Sequence, residues 1–223
     1  MPTMLTLGVR PRRDPEALFA GLLVATAPNV PAEPHSMIGS TCIAASAVGA
    51  SDDVSDKVVT LDIAPSLSPP PARAYLVHAT GEQLDDAIAL DTGSPLVVFC
   101  SGGDVVETTA TIDRAGHHTG IDFGADEDVV ADSLAVVAHA EHGFFAAASD
   151  AAGVLAVLAG TVAALRGDDV RAALRAPDLQ KLVSLHPDAA AATRGVLLGI
   201  LVPDAPGIAA TLTERVADAR HEG

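Results

Sequence analysis

Apolar positions fall in short runs of four to eight, separated by polar stretches with helical spacing. "MLTLGV" (Met4 to Val9) predicts a first strand, and "DPEALFAGLLVATA" (Asp14 to Ala27) a helix with Asp14 as cap and Pro15 in its first turn. Pro28 to Ser36 reads as a proline-rich loop, and Thr41 to Gly49 fits either a buried strand or a small-residue helix. "KVVTLDI" (Lys57 to Ile63) predicts a strand, and "APSLSPPPA" (Ala64 to Ala72) cannot be regular structure. Beyond it the alternation is cleaner. Strands are expected at "RAYLVHAT", "SPLVVFC" and "HHTGIDF", and helices at "GEQLDDAIAL", "DVVETTATIDRAG" and "DEDVVADSLAVVAHAEH".

The stretch Gly143 to Leu165 reads as a strand, a turn at "SDAAG", a second strand and a helix start. A helix near "RGDDVRAALRA", an apolar "GVLLGILV" and a last amphipathic helix "PGIAATLTERVADAR" complete the chain. Strands alternating with helices predict an α/β fold: a mixed, largely parallel sheet flanked by helices, with some antiparallel hairpin pairing near Asp150. The proline-rich break suggests an N-terminal α/β segment over 1–64 and a main domain over 72–223, or one continuous domain over 1–223.

Composition sharpens this picture. The 223 residues suffice for a substantial core, but aromatics are only 3%, so that core is built from Ala, Val and Leu. A formal charge of −16, with no basic stripe, argues against a nucleic-acid partner. Asp150 and the Ala/Gly content of Gly143 to Leu165 argue against a membrane span. The start of the chain lacks signal-peptide order, so a cytoplasmic protein with reduced Cys42 and Cys100 is expected. Much apolar sequence with few aromatics suggests a homo-oligomer. No Walker loop, G-x-G-x-x-G, G-x-S-x-G or paired C-x-x-C motif is present, and no cofactor is expected.

Candidate chemistry centres on Cys100. It ends an apolar strand and is followed by Ser101, Gly102 and Gly103, a ligand loop before a helix capped by Asp104. A helix N-terminus favours a thiolate, whereas Asp104 opposes one and buried free cysteine is common. A second set is His118, Asp122, His139 and His142. Histidines three apart on one helix face, joined by a strand residue, would make a metal site. The acids Asp126, Glu127 and Asp128 read as a solvated helix start.

The segment from about residue 58 to 120 resembles a rhodanese-like sulfurtransferase domain. The match runs through "VVTLDIAP", "RAYLVHAT", "EQLDDAIAL", "PLVVFCSGG" and "IDRAG". The resemblance implies that Cys100 is a persulfide-carrying nucleophile, that residues 101 to 105 form its cradle, and that Asp62 and His78 support it. Where that family carries arginines, this chain has Ala64 and the arginine-free "SGGDVV". Three functions are therefore expected to compete: a ligand-binding or assembly module related to a thiol enzyme but inactive, an active thiol enzyme using Cys100, and a metal-binding protein using His139 and His142. A small-molecule ligand is the partner expected.

Overall fold

The structure is a computed structural model that describes residues 17–26, 34–49, 51–64 and 69–221. Its centre is a closed barrel of eight strands, in chain order around the ring. The strands are β1 (Leu23–Thr26), β2 (Ile38–Ala44), β3 (Val54–Thr60), β4 (Ala72–Thr80), β5 (Leu96–Ser101), β6 (His118–Asp122), β7 (Phe144–Ala147) and β8 (Leu197–Val202). Every neighbouring pair is parallel, and β1 pairs with both β2 and β8 to close the ring.

The expected mixed sheet with a hairpin is therefore wrong. The turn expected at Ser149–Asp150 does come after a strand, β7, but the next element is the helix α4 (Ala151–Arg166), not a second strand. Asp150 caps that helix by accepting the Gly153 N–H at 2.7 Å. An alanine-rich run favours helix over strand once a cap is in place. The parallel direction also explains why strands such as "LVVF" carry no alternation, since lumen and helix layer bury both of their faces.

Other boundaries differ too. The stretch expected to be helix over 14–27 holds a turn at 17–21 and then β1, because pairing on both edges decides an apolar run that either pattern fits. The ambiguous 41–49 is the end of β2 and then a single 3-10 turn. The strand expected over 4–9 lies outside the described residues. The strands that flank the proline-rich break, β3 and β4, pair directly within the one barrel.

Helices cover the outer side: α1 (Leu84–Ile88), α2 (Val105–Arg114), α3 (Glu127–Val137), α4, α5 (Val170–Arg175), α6 (Leu179–Val183), α7 (Pro187–Val196) and α8 (Ala205–His221). Aspartate caps start six of them: Asp104, Asp126, Asp150, Asp169, Asp178 and Asp204 each accept a backbone N–H of the first turn. Much of the acid excess thus serves at helix starts, where the dipole favours it.

The core has an outer and an inner part. Outside, Leu134, Leu158 and Leu212 pack the helices onto β1, β7 and β8, and Tyr75, Leu96 and Ile112 fill a separate layer beneath α1 and α2. Inside the ring, Val24, Cys42, Val58, Leu76, Phe99 and Phe145 fill the lumen. The two phenylalanines fit because glycines face them. A Cβ on Gly120 would stand 2.3 Å from the Phe99 ring, and one on Gly199 would stand 3.0 Å from Phe145.

Candidate functional site

All strand C-termini of a parallel barrel open on one face, and that is where such barrels carry their ligand-binding loops. Strand β5 delivers Cys100 to this face. Its ladder partners alternate strictly: His78 pairs with Phe99, and Ala79 with Cys100. Phe99 fills the lumen, so Cys100 points the other way, into the layer beneath α2, beside Ala79, Val98 and Ile112. Only tertiary closure settles this direction, because it defines which side of the strand is the lumen.

The loop after Cys100 turns sharply on Gly102 and Gly103, whose φ angles of 79° and 85° belong to the left-handed region. Asp104 then caps α2 through Oδ1, which accepts the Glu107 N–H at 2.9 Å. Between α2 and α3, above the ends of β5 and β6, lies a cleft of about 350 Å³. Cys100, Gly103, Thr108, Thr119, Asp122 and Ser133 are among its lining residues. Burial pushes the Cys100 thiol up from its ordinary value. Ser133 spends its hydroxyl proton on the Val129 carbonyl at 2.8 Å, and Asp122 accepts the Gly124 N–H at 2.8 Å.

The residues expected to support Cys100 lie elsewhere. His78 sits on the lumen side of β4, its ring 5.2 Å from that of Phe99. Asp62 lies just after β3 and accepts both the backbone N–H of Ser46, at 2.9 Å, and its hydroxyl. These bonds hold the Asp62 carboxyl below its ordinary range. In the lumen, Cys42 on β2 meets the Thr60 hydroxyl at 3.1 Å, and burial pushes this thiol up as well. Sequence alone assigns Cys42 and Thr60 no role. Their alternation along two short strands is the available signal, but it needs the pairing of β2 with β3 to mean anything.

The histidines divide differently from the expectation. Helix α3 ends at Val137, so His139 and His142 do not share a helix face. The chain leaves the helix where Asp113, near the end of α2, accepts the backbone N–H groups of Glu141, at 3.3 Å, and His142, at 2.8 Å. His139 is exposed, and Asp122 stands at the opposite end of β6 from His118. His118 and His142 do meet, at the N-terminal end of the barrel, with ring centroids 6.3 Å apart. Burial lowers the His118 pKa. Among the described residues no cluster of three or more His, Cys, Asp or Glu side chains is placed to hold a metal ion.

A second recess on the C-terminal face, about 460 Å³, lies between the starts of α4 and α8 and is lined by Ser149, Asp150, Asp204 and Arg215. Its two aspartates cap the helices, with Asp204 accepting the Gly207 N–H at 3.1 Å. Those carboxylates occupy the positions an anionic ligand would need.

No family model matches the chain, and no curated protein and no solved structure does so either. No helix of the described residues is long and apolar enough to cross a membrane.

Proposed function

We propose that the protein binds a small, neutral or cationic molecule in the cleft between α2 and α3, with Cys100 as a lining thiol and not as a nucleophile. The observation that carries this reading is the cleft itself. It opens at the strand C-termini of a parallel barrel, and its volume lies within the range of small-molecule sites. Its polar side chains carry hydroxyls, one thiol and the Asp122 carboxylate, and no lysine or arginine lines it. Such a lining offers acceptors to amines and hydroxyl groups and gives a carboxylate or phosphate no counter-charge.

Cys100 as a persulfide carrier finds less support. A sulfur-donor anion needs cations, the loop Ser101–Asp104 supplies an aspartate, and burial pushes the thiol pKa up, which disfavours the thiolate.

Backbone amide NMR with a panel of small amines, polyols, carboxylates and phosphates tests the reading. Amines and polyols are expected to shift the Ser101, Gly102, Gly103, Thr108 and Thr119 resonances, and the anions are not. If nothing in the panel perturbs these residues at millimolar concentration, or if only the anions do, the reading fails.

A further inference from the structure

We infer that His118 and His142 form an exchangeable zinc site at the N-terminal end of the barrel, with Asp113 orienting one ligand. Each imidazole has one nitrogen committed to a group that can only accept. The His118 Nδ1–H donates to the Gly143 carbonyl at 3.1 Å, and the His142 Nδ1–H donates to Asp113 Oδ1 at 3.0 Å. In the neutral form of each ring those bonds select the same tautomer, which leaves the Nε2 lone pair for a metal. Neither Nε2 has a hydrogen-bond partner among the described residues. A histidine whose far nitrogen donates to a carboxylate or carbonyl is the usual arrangement around a bound metal.

The surroundings are consistent with this assignment. The rings stand edge to face with centroids 6.3 Å apart. Two imidazoles on one tetrahedral zinc place their centroids about 5 Å apart, so the rings must approach and rotate about their side-chain torsions to share an ion. The His142 side chain is 35% exposed, which lets ions reach it. The neighbouring His117 is turned away, its Nε2 bonded to the Ile88 carbonyl at 3.0 Å. Arg73 donates to the Leu198 carbonyl and lies over the Phe145 ring. With two protein ligands, water fills the remaining positions, and binding is reversible. Imidazole donors select zinc, nickel or copper over magnesium or calcium.

Titration calorimetry of the tag-free full chain with zinc chloride provides the test, paired with nitrogen NMR of the histidine rings. One zinc per chain is expected, with the Nε2 signals of His118 and His142 moving and their Nδ1 signals retained. H118Q and H142Q are each expected to abolish this binding, H139Q to leave it intact, and D113N to weaken it about 10- to 100-fold. If wild-type protein takes up no zinc at millimolar concentration, the site does not exist. Unchanged binding in H118Q and H142Q, or Nε2 signals that stay put while zinc binds, overturns it equally, and the NMR readout needs no variant to fold.

Discussion

Cys100 shows how one side chain's direction decides its chemistry. It sits at the end of a strand and before a glycine turn, yet it faces the helix layer, and burial raises its pKa. A thiol whose folded pKa lies above the ordinary value reacts only as pH climbs past that value, because the thiolate is the nucleophile. In a Cys42→Ser protein, the rate of Cys100 alkylation by iodoacetamide is therefore expected to rise only above the ordinary cysteine value of about 8.5. A plateau reached near neutral pH would restore the nucleophile reading. The position of Cys100 at a strand end is legible in "SPLVVFCSGG", as is its capping neighbour Asp104. Which face it occupies is not, since a strand buried on both sides carries no alternation to reveal it.

At the scale of the element, aspartate caps organise the helices. They are readable where an acid precedes a helical pattern, as at Asp104 and Asp169. At Asp150 the same signal fits a hairpin turn equally well, because a small-residue helix and a pair of strands share the run "AAGVLAVLAG". Asp150→Ala removes the acceptor of the Gly153 N–H, and a loss of about 1 kcal/mol is expected in urea unfolding. Asp150→Ser is expected to recover most of it, and equal stability of the alanine and wild-type proteins would show that the cap contributes nothing. The end of α3 depends on a contact remote in sequence. Asp113 takes the N–H groups of Glu141 and His142, which no local pattern near His142 announces.

At the scale of the molecule, closure of the ring creates both the lumen and the two ends that separate the candidate sites. The cleft with Cys100 opens at one end, and His118 and His142 meet at the other. Lumen packing depends on Phe99 lying against Gly120. Gly120→Ala places a methyl group inside that ring and is expected to cost about 1–3 kcal/mol. Combining it with Phe99→Leu is expected to cost less than the sum of the two single changes, measured as a double-mutant cycle. Strict additivity would mean that the two positions do not share the lumen.

The sequence by itself determined the α/β class, the caps at Asp104 and Asp169, most strand positions from β3 onward, and a core of small aliphatic side chains, because these arise from local spacing and propensity. The tertiary structure alone decided that every strand is parallel, that β1 closes on β8, and that Cys100 faces outward while His118 meets His142. Those outcomes depend on which distant segments pair, and apolar runs that suit any buried strand do not encode their partner locally.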